Sequence, residues 1–321
     1  MNKQDNLDVA FSGNIISKAV MLAEHMNLFD HFDKNGRIVE SELRDHYKKK
    51  SSYVDAVITS LKDGGILTVV DGMCQLQISV EEIKKKLPIF KLWLYAYRDL
   101  LSNQEEIFDG NYNVLPYDGA SVARYSAEIG GYFIDKHMEK IFSQLDISGT
   151  LCDMGCGAGL RLINICRQFG FNGIGMDINA NAIELANRNL RETYSGSSEI
   201  KFKQQDVTII NEINPSVEAI LFTFFTHHIE PNERLEKLFN DYRDLFPNLK
   251  FIILFDTVTN EKGNSINNIF ARGFDYIHRL QGLVPRTRAD YMAIFERSCL
   301  NVIEEIVLEV DNSYVWLCKV N

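Results

Sequence analysis

The chain has 321 residues, 45% of them hydrophobic and 24% charged, the profile of an ordinary folded protein with length for two domains, and not that of a disordered, collagen-like or disulfide-stapled chain. Thirty-four basic residues against 44 acidic ones leave a net charge of −10, the reverse of what a phosphate backbone selects, so nucleic acid is not an expected partner. No apolar run reaches the roughly 18–20 residues of a membrane span, and the opening MNKQDNLDVAFSGN lacks the basic-then-apolar build of a signal peptide; a cytoplasmic protein with reduced thiols and no membrane partner is expected.

From 14 to about 33, Ile15, Ile16, Ala19, Leu22, Ala23 and Met26 recur at three- and four-residue spacing, the period of one helix face. A short helical stretch around Ser41, Glu42 and Leu43 follows, and then a run over 53–61 that Asp63-Gly64-Gly65 stops, glycine being common helix-ending punctuation. Residues 66–70 and 73–78 flank Asp71-Gly72 and read as a hairpin. Three helices and a two-stranded hairpin make a winged-helix pattern, assigned to 1–105. The lysine triplets at 48–50 and 84–86 read as solvated helix surface in a chain of this net charge. Between about 88 and 103, Phe90, Leu92, Trp93, Leu94, Tyr95 and Tyr97 put apolar side chains on nearly every side, which predicts a buried helix between subunits or over a site. Residues 106–148 are read as a helical linker and pocket lid.

Beyond Gly149 the rhythm changes. Strands are predicted at 150–154, 173–177, 200–205, 219–223 and 250–255, with helices at 160–169, 180–193 and 232–245. Such alternation argues for parallel strands joined by crossover helices, an α/β sheet over 149–321. The segments 301–308 and 313–320, with Asp311-Asn312 between them, read as an antiparallel hairpin closing that sheet.

The strongest motif is Leu151-Cys152-Asp153-Met154-Gly155-Cys156-Gly157-Ala158-Gly159, leaving a strand and entering a helix. Glycines at alternate positions permit a tight turn and let the backbone approach a ligand at the carboxyl edge of a parallel sheet. Cys152 and Cys156 lie inside this motif and, with no second close pair, do not make a zinc ribbon. A dinucleotide fold wants G-x-G-x-x-G, whereas here G-x-G-x-G stands behind an Asp, and Asp177 closes the next strand 18 positions beyond Gly159. Over roughly 140–321 this resembles the class I methyltransferase family, with its Rossmann-like sheet, that binds S-adenosylmethionine. The resemblance implies that Asp177 takes both ribose hydroxyls, as a carboxylate can, and that the cationic methionine end lies near Asp153 and the glycine turn. It places Ile178, Gln205, Asp206, Val207 and Thr223 at the cofactor as well, with Asp206 near the adenine amine.

The upstream half is similar to the dimerising winged-helix domain of small-molecule methyltransferases of the plant caffeate and bacterial polyketide O-methyltransferase type, which implies a homodimer and a small-molecule substrate. Those enzymes carry a histidine after the fourth strand, where this chain reads Phe222-Thr223-Phe224-Phe225-Thr226-His227-His228-Ile229-Glu230-Pro231. His228 falls on the position of the general base, yet the family's Asp-Trp pair is replaced by Ile229-Glu230, a departure that weighs against ordinary O-methylation.

His278, in the helical segment 273–282 after the fifth strand, supplies a second histidine where this fold faces substrate. Two histidines from separate elements can hold a metal with positions left open. The arrangement is similar to the α-keto acid C-methyltransferases, which use bound iron or zinc to methylate the β-carbon of phenylpyruvate-like acids. The resemblance carries His228 and His278 onto the metal-binding roles, with the keto acid chelating the metal, and implies amino-acid-derived secondary metabolism. His227 is open between proton acceptor, third ligand and structural residue. Arg124 is the favoured partner for a substrate carboxylate, with Arg286 and Arg288 as alternatives, and Trp93, Tyr97, Phe224, Phe225 and Phe274 are candidates for an apolar wall. Two other functions stay open: O- or N-methylation with His228 as general base, and a winged-helix regulator that binds the cofactor as a sensor.

Overall fold

In the computed structural model, which describes residues 5–111, 116–259 and 268–321, the chain divides into two units, 1–96 and 97–321; residues 1–4 of the opening stretch lie outside the described residues. The first unit runs α1 (Asp5–His25), a 3-10 turn (Leu28–His31), β1 (Arg37–Val39), α2 (Glu40–His46), α3 (Ser51–Asp63), β2 (Leu67–Val70), β3 (Met73–Leu76) and α4 (Val80–Lys91). The hairpin and the helices near 41 and 53–61 are those the periodicity predicts, but the first helix, expected over 14 to about 33, begins at Asp5 and ends at His25, where Asn27 turns left-handed (φ +56°) ahead of the 3-10 turn. The three residues of β1 join β3 on the side away from β2, with Ile38 opposite Cys74, a pairing too short to announce itself in sequence. Leu28, Phe29, Leu43, Val54, Val57, Leu61 and Leu67 form its core. Ser79 caps α4 by accepting the Glu82 amide at 3.1 Å, satisfying one of the orphan donors of a helix start.

The apolar stretch from 88 to 103 is not one helix. It passes from α4, which contains Pro88, through a π-helical turn at Leu92–Ala96 and into α5 (Arg98–Ser102). Proline removes a backbone donor from the helical ladder, and the π-turn that follows is of the rare single-turn kind found within α-helices.

The second unit continues with α6 (Gln104–Phe108), α7 (Gly119–Phe133) and α8 (Asp135–Phe142), and then alternates β4 (Thr150–Met154), α9 (Leu160–Phe169), β5 (Asn172–Asp177), α10 (Ala180–Thr193), β6 (Ile200–Gln204), β7 (Val217–Thr223), α11 (Asn232–Leu245) and β8 (Phe251–Thr257). After α12 (Ile269–Leu280) and α13 (Arg288–Arg297) come β9 (Leu300–Val307) and β10 (Ser313–Val320). The seven strands lie in the order β6-β5-β4-β7-β8-β10-β9, with β10 antiparallel to both its neighbours and the β4–β8 strands parallel. This is the α/β sheet expected, its last two strands forming the closing hairpin.

β4 and β7 are buried at nearly every residue because helices cover both faces; Leu151, Cys152, Ile220, Leu221 and Phe222 are fully enclosed. Phe222, Phe239, Tyr242, Leu254, Phe295 and Trp316 knit the sheet to α11 and α13, each such side chain contributing about 1.5–3 kcal/mol on burial. The Trp316 indole donates to Glu305 at 2.8 Å, so its polar atom is not stranded. No helix among the described residues is long and apolar enough to cross a membrane.

Candidate functional site

The order of strands reverses between β4 and β7, and ligands of open α/β sheets bind outside the carboxyl ends of the strands at such a switch point. Asp153 in β4 stands level with Gly175 on one side and Leu221 on the other. The turn after β4 requires glycine. Gly155 has φ +80°, and a Cβ there would sit 3.0 Å from the Phe225 ring; Gly159 has φ +72°, and its Cβ would meet the Phe202 ring at 2.4 Å.

Asp177 braces this turn from the next strand, accepting the Gly157 amide at 2.9 Å and the Asn179 amide at 2.8 Å. Ile178 is exposed beside it. The Asp206 carboxylate accepts both the amide and the hydroxyl of Thr208, at 2.9 and 2.8 Å, and the Gln205 amide nitrogen donates to the Asp206 carbonyl at 2.9 Å. Val207 points into the core, where its carbonyl accepts from Tyr242 at 2.8 Å.

Two buried polar atoms at this edge, Asp153 Oδ1 and Thr223 Oγ1, have no hydrogen-bond partner among the described residues. Burial pushes the Asp153 carboxyl up to about 7, against the pull of Arg161 and with a further push from Asp177. A buried acceptor without a donor is costly unless a ligand supplies one, and an ammonium group would meet that need. The glycine cradle and the orphaned acceptors therefore fit S-adenosylmethionine.

Beside this edge, the residues after β7 turn sharply. Phe224 takes φ +52°, a left-handed conformation that costs a non-glycine residue energy and clusters at functional sites, and its amide donates to the Phe255 carbonyl at 2.7 Å. The short 3-10 turn Thr226–His228 then brings His227 and His228 against His278 of α12. Ring centroids are 4.2 Å apart for His227 and His228, 4.8 Å for His227 and His278, and 5.5 Å for His228 and His278. Each imidazole offers one ligand atom, and these atoms all lie within 4.8 Å of one another, a group that could hold a metal ion.

Sequence reasoning passes over what orients these rings. His227 Nδ1 lies 2.6 Å from Asp256 Oδ1. Asp256, which ends the apolar run of β8, is fully buried. It also accepts from the Thr226 hydroxyl at 2.5 Å, the Tyr291 hydroxyl at 3.0 Å, and the backbone amides of His227 and Thr257 at 3.1 and 2.9 Å. Burial alone would raise its carboxyl; the His227 ring and these donors outweigh it and hold Asp256 down at about 2.

An ionised Asp256 can only accept, so His227 carries hydrogen on Nδ1 and turns Nε2 outward. His278 Nδ1 is likewise committed, donating to the Phe274 carbonyl at 2.7 Å. Desolvation and the neighbouring His227 lower His278 to about 3, which leaves it neutral, the form that binds metals. Desolvation and both other imidazoles also lower His228; because His228 is exposed, solvent softens that effect relative to His278. Pinning Nδ1 by a carboxylate or carbonyl while Nε2 faces the ligand is the usual outer arrangement of metal-binding histidines.

The arginines are placed differently. Arg124, on α7, is exposed and lies 3.1 Å from Glu128 on the same helix. Arg288 is paired with Glu305 at 2.9 Å. Arg286 is buried and donates to the Asn232 side chain at 2.7 Å, to the Thr226 carbonyl at 2.8 Å and to the Ile229 carbonyl. Of the aromatic candidates, Phe274 packs at 5.0 Å from His227 and 4.3 Å from His278. Phe224 faces Phe270 at 6.5 Å, and Phe225 stacks on Phe222 at 6.2 Å. Tyr97 stacks on Tyr117 at 5.7 Å, while Trp93 belongs to the first unit.

Comparison with known proteins identifies the family and the fold. The family profile described as "Methyltransferase domain" matches residues 151–246. An indolepyruvate C-methyltransferase of Streptomyces griseus is 32% identical over 311 residues, covering 96% of this chain and 93% of its own. Among solved structures, the S-adenosylmethionine-dependent methyltransferase SibL superposes with a TM-score of 0.72 at 12% identity, covering 98% of each chain. The mitomycin 7-O-methyltransferase MmcR gives 0.65 at 12% identity, over 99% of this chain and 98% of its own; at such identities these likenesses concern the fold.

Proposed function

The chain belongs to the S-adenosylmethionine-dependent methyltransferases, and on that premise we propose that it methylates the β-carbon of an α-keto acid at a metal held by His227, His228 and His278. The observation that carries this reading is the convergence of three imidazoles from two elements, two of them fixed through Nδ1 by buried acceptors. The 32% identical relative supports the substrate class, since its name specifies an α-keto acid and C-methylation.

Asp153, Thr223 and the Gly155–Gly159 turn hold the methionine end of the cofactor, while Asp177 and Asp206 take the ribose and the adenine edge and Ile178 covers the ring. Bound by the imidazoles, iron or zinc supplies a Lewis acid that makes a keto acid's β C–H more acidic, worth several kcal/mol. Asp256 holds His227 in one tautomer throughout, and Phe274 packs against two of the imidazoles and shields them from water. Because β4 and β7 are adjacent, cofactor and acceptor are presented side by side. The β proton leaves to solvent water, the resulting carbanion takes the methyl group from the sulfonium, and S-adenosylhomocysteine is the leaving group; transfer is then a matter of positioning. A homodimer built on the first unit belongs to the same reading, supported by Leu7, Phe11 and Ile15, which α1 exposes at four-residue spacing.

The test is elemental analysis of tag-free protein for iron and zinc, beside His228→Ala/His278→Ala, with indolepyruvate and phenylpyruvate offered with S-adenosylmethionine and products read by mass spectrometry. Near-stoichiometric metal, lost in the variant together with C-methylation, is expected. Protein that takes up no metal on reconstitution yet methylates hydroxylated acceptors overturns the reading. The Asp256–His227 pair favours that second possibility in one respect: it places a carboxylate behind His227, not His228, so His227 would be the general base.

A further inference from the structure

Arg286 lies 3% exposed, its guanidinium straddling the segment that bears two of the three imidazoles. NH1 donates to the Thr226 carbonyl, immediately before His227, at 2.8 Å; NH2 donates to the Ile229 carbonyl, immediately after His228; and Nε donates to Asn232 Oδ1 at 2.7 Å. The guanidinium carbon also stands 5.7 Å over the Tyr291 ring, and Tyr291 donates to Asp256.

The residue's own backbone belongs to the other side of the cluster. Arg286 follows α12, which carries His278, by a short loop in which the Leu283 amide donates to the His278 carbonyl at 2.9 Å and the Val284 amide to Glu230 Oε1 at 2.6 Å. The Arg286 carbonyl accepts the Thr259 amide at 2.8 Å. One side chain thus spans from the His278 element to both ends of the His227–His228 turn.

We propose that Arg286 is a positioning residue that sets the separation of the His227–His228 pair from His278, and hence metal affinity, rather than a receptor for the substrate carboxylate. This rests on the metal-centre reading above. A planar fork with fixed donor directions is suited to bridging two carbonyls that flank a turn, and a lysine ammonium reaches one of them. The carbonyls of Thr226 and Ile229 then lose their common partner, and, with His227 still held by Asp256, the end of the turn that carries His228 is free to move away from His278.

The experiment titrates Co(II) into metal-stripped wild type, Arg286→Lys, Arg286→Ala and Asn232→Ala, following the visible d–d absorption, with S-adenosylmethionine affinity and thermal midpoint measured in parallel. Wild type is expected to give the absorption of a histidine-rich site. In Arg286→Lys the Co(II) Kd rises by about tenfold, the low end of what outer residues of metal sites contribute, while cofactor affinity holds because Arg286 bonds neither the glycine turn after β4, nor Asp177 of β5, nor Thr223 of β7. Arg286→Ala loses more and recovers affinity when millimolar guanidinium is added, a rescue that a general packing role would not show. Asn232→Ala, which leaves both carbonyl bonds intact, shifts Kd less in the same direction and reports if the Arg286 variants do not fold. Unchanged Co(II) affinity in folded Arg286→Lys, or no shift in Asn232→Ala where the Arg286 variants do not fold, overturns this inference alone. Wild type that binds no Co(II) overturns the metal-centre reading and this inference with it.

Discussion

Asp256→Asn separates the role of the buried carboxylate from that of its shape. Oδ1 accepts from His227 Nδ1 at 2.6 Å and the Thr257 amide at 2.9 Å, while Oδ2 accepts from the Thr226 hydroxyl, the Tyr291 hydroxyl and the His227 amide. An asparagine must put its NH2 at one of these places. At Oδ2 it would face two hydroxyls, which can turn and accept, and the His227 amide, which cannot; at Oδ1 it would face the Thr257 amide, which cannot accept, and the His227 ring, which can move its hydrogen to Nε2 and accept. Either placement leaves one backbone amide unpaired, at about 1–3 kcal/mol, and takes away the charge that fixes the His227 ring; the second also removes the Nε2 lone pair from the site. Metal affinity is therefore expected to fall ten- to a hundredfold, about 1.4–2.8 kcal/mol, with cofactor binding unchanged. Co(II) titration and calorimetry with S-adenosylmethionine read the two separately. Folded Asp256→Asn that binds Co(II) as tightly as wild type would refute the tautomer argument.

Other expectations follow from the same contacts. Asp177→Ala removes a carboxylate that braces Gly157 and Asn179 and that the proposed reading gives to the ribose, and calorimetry should show S-adenosylmethionine bound ten- to a hundredfold more weakly, about 1.4–2.8 kcal/mol. Gly159→Ala sets a Cβ 2.4 Å from the Phe202 ring at φ +72°, which should lower the thermal midpoint by an amount equivalent to about 1–3 kcal/mol. His278 is held at about 3 in the folded chain, below its unfolded value of about 6.5. The metal-free protein should thus keep its full stability above pH 6.5 and lose up to about 1.4 kcal/mol per pH unit as pH falls toward the folded value; a midpoint flat between pH 7 and 5 would contradict this. Sedimentation should show a dimer that Leu7→Glu/Phe11→Glu weakens, since both side chains are exposed on α1.

The alternating strands, the glycine turn and the acid at the end of the next strand were legible because they are local: each depends on spacing within about twenty residues of chain. The β1 pairing escaped for the opposite reason, since Arg37–Val39 is defined by a partner some forty residues away and has no period of its own. The same holds at the candidate site. His227, His228 and His278 carry their chemistry in their residue type, so a reading by type finds them. Asp256 and Arg286 take their roles from partners 29 and 60 residues distant, and type alone misleads: an arginine beside a pocket suggests a carboxylate receptor, whereas Arg286 is spent on backbone carbonyls. One signal was available for Asp256, an acid closing the apolar run Phe251–Phe255 at the edge where ligands bind.

A common logic links the two halves of the sheet edge. The cofactor brings a sulfonium and an ammonium, and a metal would bring two more positive charges beside them. At the cofactor turn, on the proposed reading, the chain meets the ammonium directly with Asp153 and the uncharged ribose with Asp177. At the imidazole cluster it presents neutral ligands and keeps its anion, Asp256, one residue behind them, buried and saturated with donors. A carboxylate in direct contact would bind a cation more strongly, but it would also neutralise the Lewis acidity that an enolising substrate needs. Holding the charge behind His227 fixes the ring and leaves the metal electrophilic, which is why the consequences of Asp256→Asn should appear in affinity and tautomer before they appear in the fold.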